Sequence, residues 1–403
     1  MELLSVYRDY GVVPKSSRDD NFNKPSEDLS SYRYVRPGDL VLNKMKTWQG
    51  SLGISLHEGI VSPAYFVCEV SPDLHSRYAH YLLRSAPYIH LYRSVSKGIR
   101  PNQWDLPYDE MVSLPALVPP LEEQRRIADF LDAETSRIGR IAESRRRQMD
   151  TLVERSYAVG SETLLPGILS APTGEGPWPW LPDLPDDRPL VRLGYVCRIQ
   201  NGVTVDGKRR PAPDWVTRPY LRVANVQAGY VDLGSVTEIA VPPGIAARST
   251  LRPGDVLMTE GGDLDKLGRG TVWKGEIDGC LHQNHVFALR PERDRLDGDY
   301  LALMTQTLHG RCYFESTGVK TTNLASTNSS KILGFPIPMP SLAEQRNLAA
   351  EVACEHSVIR RTARALERQL DLLSERRQSL ITAAVTGQFD VSTASGRNTI
   401  QGV

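Results

Sequence analysis

The strongest constraint in this 403-residue chain is that it repeats itself at long range. Leu114-Pro115-Ala116-Leu117-Val118-Pro119-Pro120-Leu121-Glu122-Glu123-Gln124-Arg125 aligns with Phe335-Pro336-Ile337-Pro338-Met339-Pro340-Ser341-Leu342-Ala343-Glu344-Gln345-Arg346. Both stretches are apolar and proline-rich and then read Leu-x-Glu-Gln-Arg. Upstream, Arg36-Pro37-Gly38-Asp39-Leu40-Val41 has its counterpart in Arg252-Pro253-Gly254-Asp255-Val256-Leu257. A chain built this way is expected to fold as two copies of one unit, each a module followed by a helix. Its length also exceeds one ordinary core.

The helical part of each copy carries the clearest periodicity. Ile127, Leu131, Ile138, Ile141, Met149 and Leu152 recur at three-, four- and seven-type spacings. Leu348, Val352, Ile359, Leu366, Leu370 and Leu373 form the same stripe in the second copy. No proline lies between Leu121 and Leu165 or between Leu342 and Val391. Each segment is therefore predicted to run as one helix of about 40 residues, roughly 60 Å long. Such a helix is too long for one small core, and a narrow apolar stripe needs a partner stripe. The other copy supplies the nearest one, so an intramolecular coiled coil is expected. Pairing with another chain, or packing on the modules, is the simpler alternative. Glu134, Arg145, Glu355 and Thr362 interrupt the stripe, and polar seam positions fix register at a cost in stability.

The modules read as mixed α and β, an α+β class. Val35, Leu40-Val41-Leu42, Ile54, Ile60-Val61 and Tyr65-Phe66-Val67-Cys68 are short apolar runs separated by turn residues. Tyr78 to Leu91 and Tyr300 to Leu308 are predicted helices. In Pro-Gly-Asp, Pro presets φ, Gly supplies positive φ, and Asp39 or Asp255 caps the turn. The predicted division is residues 1–120 and 191–340 for the modules, 121–165 and 341–390 for the helices, and 391–403 for a flexible tail. Between the first helix and the second module, 166–190 holds seven prolines and Trp178-Pro179-Trp180, predicting a packed, semi-rigid connector.

Composition narrows the function. Hydrophobic residues make up 40% and charged residues 24%, which suits a folded, water-soluble chain. No apolar run reaches the roughly 18 residues of a membrane helix, and no signal-peptide pattern opens the sequence. Five scattered cysteines suit a reducing cytoplasm better than a disulfide framework. Forty-eight basic residues balance 48 acidic ones, so any nucleic-acid face must come from spatial sorting of charge. Phosphate-binding Gly-rich loops, dinucleotide fingerprints and the Asp/Asn-Pro-Pro-Tyr/Phe signature of adenine methyltransferases are all missing. Cys280, His282 and His285, with Asp263 and Asp265, would be the ligands of a metal-dependent nuclease, but a fourth ligand for Cys280 is not evident. A strand or loop presenting His282, Gln283 and Asn284 is the preferred reading there, with no metal and no catalytic residue. Two Gly-centred loops, Lys97-Gly98-Ile99-Arg100-Pro101-Asn102-Gln103 and Thr317-Gly318-Val319-Lys320-Thr321-Thr322-Asn323, carry phosphate- and base-capable side chains or are generic polar surface.

With these features the chain resembles the specificity subunits of Type I restriction-modification systems over nearly its whole length. The most specific pieces are Pro119 to Asp132, the phrase Val35-Arg36-Pro37-Gly38-Asp39-Leu40-Val41, and Ile381-Thr382-Ala383-Ala384-Val385-Thr386-Gly387-Gln388. The resemblance implies two target-recognition domains, each reading half of a bipartite site in double-stranded DNA. It implies two antiparallel helices that set the gap and dock modification subunits. S-adenosylmethionine, ATP and Mg would then belong to the modification and restriction subunits, with no cofactor in this chain. For DNA contacts, residue type and loop position direct attention to Lys44, Lys46, Trp48, Lys97, Arg100, Asn102 and Gln103 in the first module. In the second the corresponding choices are Lys208, Arg209, Arg210, Arg222, Asn225, Lys266, Lys320, Thr322 and Asn323. Lys and Arg would hold phosphates, and Asn and Gln would read base edges. The lead-in before Arg36 is shorter than that from Val191 to Arg252, so the first recognition domain is expected to be N-terminally short. A truncated scaffold impaired in DNA binding is the alternative within the same resemblance.

Overall fold

The computed structural model describes residues 1–18, 28–98, 104–170, 184, 190–205, 212–262, 267–320 and 325–391, with Lys320 described by its backbone. Most of the connector, including Trp178 and Trp180, and the tail beyond Val391 lie outside the described residues. In chain order the helices are α1 (Ser76–Leu83), α2 (Ala86–Val95), α3 (Tyr108–Val112), α4 (Leu121–Leu164), α5 (Pro243–Ser249), α6 (Gly298–Met304), α7 (Leu308–Thr317), α8 (Ser329–Leu333) and α9 (Leu342–Val385). Mixed α and β modules and two 44-residue helices are both present. The α4 helix ends just before Pro166, and α9 ends before Gly387, whose φ of 72° suits a helix terminus.

The chain forms two compact units that cut across the linear order: residues 1–146 with 366–403, and residues 147–365. Each unit thus holds one module, the start of one long helix and the end of the other. In the first unit Ile127, Ala128 and Leu131 of α4 share a core with Ala384 and Val385 of α9. In the second, Ala349 and Val352 of α9 share a core with Leu164 of α4. Start meets end in both, so the helices run antiparallel. Within the second unit, His356 also lies 3.0 Å from the Ser156 carbonyl.

Ile127, Leu131, Ile138, Val352, Ile359 and Leu366 are buried. Met149, Leu152, Leu348, Leu370 and Leu373 are half-buried, and Ile141 is exposed, a correction to its seam assignment. A straight helix drifts about 20° per heptad against a 3.5-residue repeat, which carries an apolar position off the seam.

Each module has its own sheet, built on the same antiparallel pairing. In the first unit, strand Leu40–Asn43 pairs with Leu52–Ile54 on one side and Tyr65–Cys68 on the other, both antiparallel. In the second, Val256–Thr259 pairs in the same way with Gly270–Val272 and Val286–Pro291, and Cys197–Asn201 adds a fourth strand. The Pro-Gly-Asp turns enter the equivalent strands. Gly38 and Gly254 have φ of 99° and 92°, which an L side chain rarely adopts. Asp39 accepts from the Arg36 N–H (2.7 Å) and Asp255 from the Arg252 N–H (2.8 Å), as capping required. Buried Asp255 also takes two hydrogen bonds from Arg290, 2.8 and 2.7 Å.

Where one helix was expected over 78–91, two form, α1 and α2. Proline in a helix interior loses a hydrogen bond and clashes with the preceding turn, so the chain breaks at Ser85 and restarts with Pro87 in the first turn. The helix predicted from Tyr300 to Leu308 also divides, and Thr307 caps the second piece by accepting from Gly310 N–H.

The shared glutamine of Leu-x-Glu-Gln-Arg is fully buried in both copies. Gln124 donates from Nε2 to the carbonyls of Asp73 (2.9 Å) and Pro119 (2.7 Å) and accepts at Oε1 from His75 N–H (2.7 Å). Gln345 does the same with Arg295 (3.0 Å), Pro340 (2.9 Å) and Asp297 N–H (2.9 Å). Buried Tyr78 and Tyr300 add matching bonds to the Leu117 and Pro338 carbonyls. Removing the amide strands three backbone groups at once, and each unsatisfied buried group costs about 1–3 kcal/mol. Gln124→Ala and Gln345→Ala should each lower stability by about 3 kcal/mol, whereas exposed Glu123→Ala should stay within about 0.5 kcal/mol; denaturant midpoints check this.

Burial, with neighbouring Arg84, pushes His80 from its ordinary value near 6.5 down to about 4. The fold holds the neutral ring, so this contribution is complete above pH 6.5 and is lost as pH falls toward 4. Burial lowers His282 and His309 in the same direction. Urea midpoints should therefore fall between pH 7 and pH 5, and His80→Gln should flatten part of that fall.

Candidate nucleic-acid interface

In the first unit the strand ending at Asn43 turns sharply. Asn43 accepts through its side chain from Met45 N–H (3.1 Å) and through its carbonyl from Lys46 N–H (3.0 Å). The turn leaves Lys46 exposed and Lys44 half-buried, with the Lys44 ammonium 4.6 Å from the Phe66 ring centre. Phe66 in turn packs on half-exposed Tyr108 at 5.3 Å. Leu106 N–H donates to the Lys44 carbonyl, and Lys97 and Asp105 exchange backbone bonds of 2.9 and 2.8 Å. Both stems of the 99–103 loop are thereby fixed beside the Lys44–Lys46 turn. Exposed Lys97 pairs with Glu110 at 2.7 Å. Arg100, Asn102 and Gln103 lie outside the described residues.

Trp48 requires correction. It is buried, packs on Trp104 at 4.9 Å and donates from its indole to the Met45 carbonyl (3.0 Å), so it supports the turn from beneath. Sequence reasoning passed over Arg93, whose guanidinium sits 5.7 Å from the Trp104 ring, and exposed Arg33, 5.9 Å from Phe66. The tryptophan at 104, immediately after a cationic loop, was the available signal for the first.

In the second unit Asn225 also requires correction. It is buried, accepts from Arg222 N–H (2.8 Å) and donates to the Asp232 carbonyl (2.8 Å), which uses its hydrogen-bonding capacity internally. Arg222 remains exposed at the edge of that turn. Lys208, Arg209, Arg210, Lys266, Thr322 and Asn323 lie outside the described residues, but the stems of their loops are close together. Strand Ala325–Ser326 pairs with Gly261–Gly262 on one side and Val319–Lys320 on the other. Val203 bridges Gln283 and accepts from Asn284 N–H, and Glu260 N–H donates to the His285 carbonyl. The described residues that flank 263–266 and 321–324, with Val203 ahead of 206–211, thus lie in one neighbourhood.

The turn carrying Gln283 and Asn284 only partly faces outward. His282 is buried with Nδ1 2.6 Å from the Val286 carbonyl, and Gln283 accepts from Val223 N–H. Exposed His285 meets Glu260 at 2.5 Å. Burial pushes the Cys280 thiol up to about 12, and its hydrogen bond goes to the Leu281 carbonyl. The nuclease reading is thereby corrected, because Cys280 and His282 face the core while His285 faces out. Among the described residues no cluster of three His, Cys, Asp or Glu could hold a metal ion. Asp263 and Asp265 lie outside them. No helix among the described residues is long and apolar enough to cross a membrane.

The arrangement is one module in each unit, its sheet and helices joined to the start of a long helix by a buried glutamine. No family model matches the chain. It is 21% identical over 375 residues to the specificity subunit of the type I restriction enzyme EcoKI of Escherichia coli K12, covering 91% of this chain and 78% of that one. Identity is 22% over 213 residues to a specificity subunit assigned to the type I restriction enzyme MjaX of Methanocaldococcus jannaschii, 52% of this chain and 48% of the other. A third relative, the StySPI specificity subunit of Salmonella potsdam, is 25% identical over 225 residues, with coverage of 54% and 46%. The matched region spans about half the length of these last two relatives. A solved structure concerned with assembly and conformational transition of a type I restriction-modification system contains a similarly folded chain. Its TM-score is 0.69 at 21% identity, over 90% of this chain and 85% of that one.

These relatives agree with the duplicated architecture: the chain is similar in sequence to Type I restriction-enzyme specificity subunits and shares the fold of the solved chain.

The buried indole and the exposed ammonium predict opposite behaviour in stability. Trp48→Ala should destabilise by about 3 kcal/mol through the cavity it leaves, while Lys46→Ala should change stability by less than about 0.5 kcal/mol. Urea titration of the two variants checks the assignment.

Proposed function

We propose that this chain is a non-catalytic subunit that recognises a bipartite sequence in double-stranded DNA, one half per module, and carries modification subunits on its helices. The observation that supports this most directly is the duplication. Two frames with the same glutamine staple and the same Pro-Gly-Asp turn carry different polar loops. Equal frames with unequal loops suit the reading of two different half-sites, since phosphate contacts position a protein while base contacts specify.

Lys44, Lys46, Lys97 and Arg222, with Arg33 and Arg93, would hold phosphates. Loops 99–103, 206–211, 263–266 and 321–324 would bring Arg100, Asn102, Gln103, Lys208, Arg209, Arg210, Lys266, Thr322 and Asn323 to the duplex, with Lys320 at the base of the last. Methyl transfer to adenine with S-adenosylmethionine would belong to the modification subunits. ATP- and Mg-dependent work would belong to restriction subunits, all in the cytoplasm.

The test is co-expression with a modification subunit, followed by sequencing of host DNA for N6-methyladenine. One bipartite motif methylated in both halves is the expected result. A stable complex without any motif would overturn the recognition reading in favour of a scaffold impaired in DNA binding.

A further inference from the structure

The first unit contains a cavity of about 410 Å³ lined with more hydrogen-bond donors than acceptors. Its walls include Arg8 and Asp9 from the turn after strand Leu4–Tyr7, His80 and Arg84 from the end of α1, the first turn of α2, and Arg377 of α9. Arg84 Nη2 donates to the Arg8 carbonyl, and Nη1 lies 2.6 Å from His80 Nε2. The other ring nitrogen, Nδ1, faces the Ile54 N–H at 3.3 Å. A neutral imidazole accepts at only one nitrogen, so whichever tautomer forms, one of these donors meets another N–H.

Charge is unbalanced in the same direction. Three guanidinium groups line the cavity against one carboxylate, Asp9. The nearby Asp132 is already engaged by Arg77 (2.6 Å) and the Tyr81 hydroxyl (2.7 Å). Arg8 and Arg377 enter no ion pair among the described residues. Burial and Arg377 lower Arg84 to about 10. The α2 helix starts here with no side-chain cap among the described residues and with proline in its first turn, so its positive end adds to the donor surplus. What this lining lacks is an acceptor with several negatively charged oxygens.

We propose that the cavity binds an oxyanion of the phosphate class, held by Arg8, Arg84 and Arg377 against the start of α2. Charge-assisted, often bidentate bonds from guanidinium groups suit that chemistry. The loop assigned to DNA follows the opposite end of α2, about 15 Å away for a ten-residue helix. The ligand is therefore free phosphate or a small molecule bearing a phosphate group, distinct from the DNA backbone. The volume falls within the range of small-molecule sites, about 300–1,000 Å³.

The experiment is calorimetry and thermal melting of the full chain with inorganic phosphate, using chloride at matched ionic strength as control. Saturable binding and a raised melting temperature specific to phosphate are expected. Arg377 is exposed on α9, so Arg377→Gln should keep the circular dichroism spectrum while raising the half-saturating phosphate concentration about tenfold or more, with Arg377→Lys intermediate. Duplex-DNA affinity and its salt dependence should be unchanged in Arg377→Gln. Phosphate acting no better than chloride, or unaltered phosphate binding in both Arg377→Gln and Arg8→Gln, would overturn the proposal. So would a DNA salt slope reduced by about one in Arg377→Gln, since that would assign the guanidinium to a DNA phosphate.

Discussion

A buried carboxamide organises each half of this molecule. Gln124 and Gln345 sit in the first turn of a 44-residue helix and bond three backbone groups, two of them about 50 residues upstream. Those partners lie immediately before α1 and α6, so one side chain joins the helix start to the module's own helices. An amide is suited to this position because it offers two donors and an acceptor without charge. A carboxylate would leave two carbonyls facing an acceptor, and an apolar residue would leave three buried polar groups unpaired.

That staple explains why the long helices are not bodies of their own. Each begins in one unit and ends in the other, and its two ends are packed into equivalent cores. Val385 in the first unit and Leu164 in the second occupy matching places beside the start of the antiparallel partner. Packing of both helix ends into these cores, more than intrinsic propensity, is what stabilises helices of this length.

With no net charge over 403 residues, attraction for a polyanion has to be local. In the first unit the fold sets Lys44 and Arg33 by the Phe66 ring and Arg93 by Trp104. At the far end of α2 it gathers Arg8, Arg84 and Arg377 around a cavity. The two groups lie toward opposite ends of α2.

The repeat, the two long helices, the Pro-Gly-Asp turns with their aspartate caps and the mixed α/β character were legible in the sequence. Each depends on periodicity or on contacts within a few residues. The turn after the apolar strand leaves Lys46 exposed and Lys44 half-buried against Phe66, a difference that residue type alone does not signal. Trp48 and Asn225 were misread, since residue type suggests what a side chain can bond to and not whether its bonds are already taken from within. The break between α1 and α2 was signalled by Pro87, although the apolar spacing ran through it. By itself the sequence determined two copies of one module, each followed by a long helix. Tertiary structure alone decided that a glutamine staples each copy, that the helix ends are exchanged between units, and that three arginines far apart in sequence meet at one cavity. Those outcomes depend on hydrogen-bond valence and packing between residues separated by 50 to 370 positions, which no local pattern encodes.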